Sequence, residues 1–292
     1  MSATRQPTGR KQTQKLVVLP DGRALNVVMW AGKGVPLVLL HGLLDRGSGW
    51  EQIAASTTRP VIAPDLPGFG ESDMPCSDHL DAYAADVLAA LDALKVKKFS
   101  LVGHSLGGAV ATVLAEACAT RVLSLALMAP VGFGRILPSE AARIPFAARL
   151  FREVLHAAMT RPTMTKLVYS TLIARGVHPD ETLTRALAEH AVRWAEGAEH
   201  GVRAIQAAGN ADALTRRTLS YKGPVSVLWG SRDLLVPLAH AKAVQRALPQ
   251  ATLTVMSGVG HHPQVEDAGQ LVSFISSACN VLKPRAFRTR PA

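Results

Sequence analysis

Ser105 stands in Gly103-His104-Ser105-Leu106-Gly107, between an apolar run (Phe99, Leu101, Val102) and an Ala/Val/Leu-rich helical run to Leu114. A serine hydroxyl becomes a good nucleophile when a base takes its proton, and an imidazole serves best when a carboxylate holds its tautomer. Two later segments carry such groups: Asp233 in Trp229-Gly-Ser-Arg-Asp233 and His261 in Gly258-Val-Gly-His261. The chemistry open to this set is attack on an acyl carbon, followed by transfer of the acyl group to water.

The element that must position Ser105 is a strand, a sharp turn and a helix in immediate succession. A tight turn projects the hydroxyl above the sheet edge and predicts no room for side chains at Gly103 and Gly107. The helix beginning there also points unpaired N–H groups at charge developing on an attacked carbonyl. Asp233 and His261 each follow an apolar strand-like run, and loops after parallel strands gather at one sheet edge. All three side chains can therefore meet.

The remaining elements read as an α/β chain. Lys15 to Leu19 and Ala24 to Trp30 flank the turn Pro20-Asp21-Gly22 and predict a hairpin. Pro36 to Leu40, Pro60 to Ala63, Phe99 to Val102 and Val122 to Ala129 are continuous apolar runs of the doubly buried kind. Asp78 to Leu94 is amphipathic, with Asp78 as the expected N-cap and Leu80, Tyr83, Ala84, Val87, Leu91 and Leu94 on one face. Strands separated by helices imply right-handed crossovers and a mostly parallel sheet. The alternation stops between Val131 and Arg217, where helical spacing is broken by Pro138, Pro145, Pro162 and Pro179, and this reads as a helical insertion. It resumes with Pro224 to Trp229, a helix near Leu238 to Leu248, the strand Ala251 to Met256 and a last helix from Glu266 to Val281.

The net charge of +10 invites a nucleic-acid or membrane partner until it is located. Arg5, Arg10, Lys11 and Lys15 at the front, with Lys283, Arg285, Arg288 and Arg290 at the back, lie in two acid-free tails, and +2 is left for the body. Solvated tails over 1–15 and 283–292 are expected, with no dedicated nucleic-acid face. A 48% hydrophobic fraction supplies a core, yet no apolar run reaches the roughly 18 residues of a membrane span. The polar, basic stretch Met1 to Gln14 predicts no secretory leader, so a cytoplasmic location is expected. Cys76, Cys118 and Cys279 form neither a disulfide framework nor a zinc pattern. No metal cluster, phosphate loop or dinucleotide fingerprint stands in the sequence, so no cofactor is implied.

With these residues in place, the chain resembles the α/β-hydrolase family from about Leu16 to Leu282. The matches are His-Gly at 41–42, Asp-Leu-Pro-Gly-Phe-Gly-Glu-Ser at 65–72, Gly-His-Ser-Leu-Gly at 103–107, Gly-Ser-Arg-Asp at 230–233 and Gly-His-His-Pro-Gln-Val-Glu at 260–266. The order Ser, Asp, His is the family's order. The resemblance implies a core over 16–130 and 218–282, a twisted sheet with helices on both faces, and an inserted helical cap over 131–217. It makes Ser105 the nucleophile, His261 the general base and then acid, and Asp233 the group that orients it. The backbone N–H groups of Leu43 and Leu106 would form the oxyanion hole.

Other groups are assigned structural parts. His262 is the rival to His261, which follows the glycine as the family's histidine does. His104 is expected to pack or hydrogen-bond, Asp65 to serve its turn, and Asp45 to pair with Arg46. Arg135, Arg143, Arg149, Arg152 and Arg161 read as solvated helix faces, one of which could grip a substrate carboxylate, and Trp194 reads as core. The serine disfavours the aspartate-nucleophile branches. An ester is the commonest substrate of relatives with this serine constellation, so the resemblance implies a carboxylic ester of a small molecule. The alternatives are a carbon–carbon hydrolase of aromatic ring-fission products, a perhydrolase, or a binding protein on the same fold. Carbon–carbon hydrolases usually carry a Ser-Gly-Pro-Gly-type loop after the first His-Gly, where this chain has Leu43-Leu-Asp-Arg46.

Overall fold

A computed structural model describes residues 10–43, 45–136 and 219–279, together with parts of 150–217. Eight strands form one sheet in the order β1-β2-β4-β3-β5-β6-β7-β8. They are β1 (Gln12–Val18), β2 (Ala24–Trp30), β3 (Leu37–Leu40), β4 (Val61–Pro64), β5 (Phe99–His104), β6 (Val122–Met128), β7 (Val225–Gly230) and β8 (Thr252–Met256). The hairpin β1–β2 and the pair β2–β4 are antiparallel; every other neighbouring pair is parallel. This is the mostly parallel sheet expected of the apolar runs.

Alternation along the central strands feeds two cores. Val38, Leu40, Leu101, Leu125 and Val227 point to one face, where α2 (Leu80–Ala93) and α3 (Leu106–Ala117) cover them. Leu37, Leu39, Val102, Ala126 and Leu228 point to the other, beneath α1 (Glu51–Ala55) and the helix Ala268–Cys279. A strand buried on both faces has no polar side to show, which is why these runs are continuously apolar.

Several boundaries differ from the sequence expectation. The basic tail assigned to 1–15 gives way to the sheet at Gln12, because backbone pairing to β2, with Lys15 opposite Val27, overrides a polar composition on an edge strand. Arg10 is also held, its guanidinium donating to the carbonyls of Thr57 at 2.5 Å and Arg59 at 2.8 Å. Residues 1–9 and 283–292 lie outside the described residues. The N-cap of α2 is His79, without a side-chain cap bond, and not Asp78. The helix expected from Leu238 starts as one 3₁₀ turn and becomes α only over Ala241–Ala247. The last helix is broken into Pro263–Glu266 and Ala268–Cys279, and its first piece begins where a proline suits the first helical turn.

In the insertion between β6 and β7, the described residues include the helix Pro162–Val168, a π-helical turn over Tyr169–Ile173 and a 3₁₀ turn over Ala211–Arg216. Arg135 and Arg161 are exposed. Arg143, Arg149, Arg152 and Trp194 lie outside the described residues. Cys76 is exposed, Cys118 and Cys279 are buried, and all three are free thiols. No described helix is long and apolar enough to cross a membrane.

Candidate active site

Ser105 joins β5 to α3 at φ 53° and ψ −116°, a backbone conformation that an L side chain adopts only under constraint. The constraint comes from close packing on both sides. A Cβ on Gly103 would lie 2.3 Å from the Gly107 carbonyl oxygen, and one on Gly107 would lie 2.4 Å from the oxygens of both Leu40 and His41. The turn is therefore wedged between β3 and its own helix. Behind it, Ser105 N–H donates to Met128 O at 2.9 Å, tying the turn to β6.

Loops at the carboxyl ends of β7 and β8 complete the set. His261 Nε2 lies 2.9 Å from Ser105 Oγ, and His261 Nδ1 lies 2.7 Å from Asp233 Oδ2. The other carboxylate oxygen accepts from the N–H groups of Leu235 at 3.0 Å and Val236 at 2.9 Å, so Asp233 is held from both ends. A carboxylate accepts only, which puts the imidazole proton on Nδ1 and leaves Nε2 to accept from the serine. Ser105, Asp233 and His261 are all buried. Hydroxyl, imidazole and carboxylate thus form one aligned chain of hydrogen bonds away from water.

The loop after β3 approaches the same point. A Cβ on Gly42 would sit 3.1 Å from both Ser105 Cβ and His104 Nδ1, tighter than ordinary contact, so glycine suits this close approach of the loop. His41 anchors it, accepting at Nε2 from Leu66 N–H at 2.9 Å and donating from Nδ1 to Gly42 O at 2.7 Å. Leu43 follows at once, half-buried. Leu106 is the first residue of α3, where a backbone N–H has no acceptor within the helix.

Asp65 does more than shape its own turn. Its carboxylate accepts from Gly47 N–H at 2.6 Å, Asn26 Nδ2 at 2.9 Å and Glu71 N–H at 2.9 Å, joining three segments behind the loop. His104 donates from Nε2 to His261 O at 2.7 Å and accepts at Nδ1 from Gln264 Nε2 at 3.2 Å. Burial, then the positive charge available to His261 and His262, holds its pKa well below the usual histidine range. It is a neutral strut.

Asp45 pairs with Arg46 through the backbone, its Oδ1 accepting from Arg46 N–H at 2.8 Å, while both side chains also reach residues distant in sequence. The Arg46 guanidinium is 3.8 Å from Glu189, and Asp45 Oδ2 is 3.7 Å from His262 Nε2. His262, the rival base, meets Tyr169 Oη at Nδ1, 2.5 Å away. The sequence signalled His262 only as a rival and gave no sign of Tyr169, because their contact spans 93 residues.

An eight-stranded, mostly parallel sheet with a strained serine turn at its carboxyl edge defines a hydrolase-type α/β enzyme. The chain belongs to the α/β-hydrolase fold family, whose model matches residues 35–268. It is 32% identical over 259 residues to the dihydrolipoyllysine-residue acetyltransferase component of an acetoin cleaving system from Pseudomonas putida, covering 86% of this chain and 65% of that one. It is 30% identical over 258 residues to a 2-hydroxy-6-oxo-6-phenylhexa-2,4-dienoate hydrolase from Burkholderia cepacia, covering 82% and 85%. An esterase structure from Exiguobacterium antarcticum superposes with a TM-score of 0.71 at 21% identity, over 91% of this chain and 98% of that one, a likeness of fold.

Proposed function

We propose that this enzyme hydrolyses a small carboxylic ester through an acyl-enzyme on Ser105. The observation that carries this reading is the aligned contact of Ser105 Oγ with His261 Nε2 at 2.9 Å, continued to Asp233 at 2.7 Å. Ser105 Oγ attacks the acyl carbon while His261 Nε2 takes its proton, and Asp233 stabilises the imidazolium that results. The N–H groups of Leu43 and Leu106 receive the developing oxyanion, where loss of one such donor typically costs about 3–4 kcal/mol of transition-state stabilisation. His261 then returns the proton to the departing alcohol, and water repeats the sequence on the acyl-enzyme. Segment 131–217 is the cap that limits access to the site and selects the acyl group.

A second reading is cleavage of a carbon–carbon bond in an aromatic ring-fission product, favoured by the 30% identity to the Burkholderia cepacia hydrolase. Two assays with purified protein separate the readings: p-nitrophenyl esters of increasing acyl length, and a vinylogous 1,5-diketone, each beside Ser105→Ala. Ester turnover with a chain-length optimum supports the esterase. Diketone cleavage with slow ester turnover replaces it by the second reading, and turnover retained in Ser105→Ala overturns the nucleophile.

A further inference from the structure

Beside the serine set a second hydroxyl, imidazole and carboxylate stand together, with Tyr169 and His262 buried and Asp45 partly so. Tyr169 Oη is 2.5 Å from His262 Nδ1, and His262 Nε2 is 3.7 Å from Asp45 Oδ2. The three residues come from three different places: the π-helical turn of the insertion, the loop after β8 and the loop after β3. A carboxylate can only accept, so it is an Nε2 proton of His262 that would face Asp45, while Nδ1 meets the Tyr169 hydroxyl. The order carboxylate, imidazole, hydroxyl is that of Asp233, His261 and Ser105, with adjacent histidines and the two ring nitrogens exchanged.

The surroundings show that this array is built in. Asp45 fits because Gly49 has no side chain: a Cβ there would lie 2.3 Å from Asp45 Oδ1. That oxygen accepts from Arg46 N–H at 2.8 Å, leaving Oδ2 for the histidine. Burial pushes the Asp45 carboxyl up, but the His262 imidazole beside it outweighs this and holds the pKa at about 2. The His262 ring stacks on His104 at 5.6 Å with planes 4° apart, and its backbone N–H donates to Glu266 Oε1 at 3.0 Å. The π-helical turn makes a second contact here, with Ile173 O accepting from His261 N–H at 2.8 Å. One extra residue in a helical turn is a common way to aim side chain and backbone at a site.

We propose that Asp45, His262 and Tyr169 form a positioning relay through which the seating of the insertion sets the loop after β3, and with it the Leu43 N–H, against Ser105. Asp45 is two residues from Leu43, so a shift of its carboxylate is passed to the donor over very short chain. This rests on the reading of Ser105 as a nucleophile.

The test is the second-order rate at which a fluorophosphonate labels Ser105, measured in full-length protein with circular dichroism as the fold check. Tyr169→Phe and Asp45→Asn keep shape and remove one arm each; each is expected to slow labelling ~10-fold, since small misplacements near reacting atoms are costly. Among the described residues the two arms are joined through His262. The double variant should therefore remain ~10-fold slow, whereas independent effects would multiply to ~100-fold. In His262→Leu both substitutions should become silent, while His262→Gln, which keeps a donor toward Asp45, should recover part of the rate. Should Asp45→Asn fail to fold, Tyr169→Phe with and without His262→Gln decides the coupling alone. Wild-type labelling rates in the folded single variants, or multiplied rates in the double, overturn the relay. Failure of the wild-type protein to label at Ser105, or labelling that survives Ser105→Ala, instead overturns the nucleophile on which it rests.

Discussion

The carbonyl oxygen of Ile173, in the insertion, accepts a hydrogen bond of 2.8 Å from the backbone N–H of His261. On the other side of the same residue, His104 Nε2 donates to the His261 carbonyl at 2.7 Å. The proposed general base is thus suspended by its backbone between the insertion and the residue preceding the nucleophile. Its ring position depends on both, so packing far from Ser105 in sequence bears on the reactive contact.

Gly260 is the point where this suspension can be disturbed. A Cβ there would lie 2.9 Å from Ile173 O and 3.1 Å from Glu266 Oε2. Gly260→Ala is expected to push the insertion away from His261 and lower kcat by about 10-fold or more, given the sensitivity of aligned groups to displacement. Steady-state kinetics with a chromogenic ester, beside a circular dichroism spectrum of the folded variant, measures it; unchanged kcat would show that the Ile173 contact is incidental.

Ser105→Ala should remove ester turnover while leaving the fold and melting temperature close to those of the parent. Asp233→Asn is expected to lower kcat about 10⁴-fold, because an amide can no longer impose the tautomer that leaves His261 Nε2 free to accept. Steady-state kinetics with a chromogenic ester on the parent and the two variants give the comparison.

Gly107→Ala tests the wedge that strains the turn. Its Cβ would lie 2.4 Å from two backbone oxygens of the β3 end, neither of which is the tip of a flexible side chain. The variant should lose about 3 kcal/mol or more of stability, in the range where single substitutions often abolish expression. Urea unfolding followed by tryptophan fluorescence reads this directly, and a loss below about 1 kcal/mol would mean that the turn can relax.

Asp45 should reveal itself in acid. Its pKa is held at about 2, below the 3.8 of an ordinary aspartate, so it stabilises the folded state above pH 4 and that contribution disappears as the pH falls toward 2. The lowering corresponds to about 2 kcal/mol at neutral pH. Asp45→Asn should be less stable than the parent by this order at pH 6, and the gap should close between pH 4 and pH 2. Denaturant melts of the two proteins at three pH values check the sign; a constant gap would assign the loss to packing.

Much of this arrangement was legible before any coordinates. Gly103 and the apolar flanks of Ser105 encode strand, turn and helix locally, because the steric demand at Gly103 comes from the Gly107 carbonyl four residues on. The apolar runs of β3, β5, β6 and β7 likewise dictate strands buried on both faces, and the placing of Asp233 and His261 after the last two strands brings them to the serine's edge of a parallel sheet. What only the tertiary structure decided are the pairings of groups distant in sequence. Asp45 has Arg46 as its chain neighbour yet lies against His262, Tyr169 reaches His262 across 93 residues, and Arg10 is drawn out of a basic tail to the carbonyls of Thr57 and Arg59. Polar side chains that lose water must find whatever partner the packed fold brings within reach, and that choice is made by how the layers close and not by spacing along the chain.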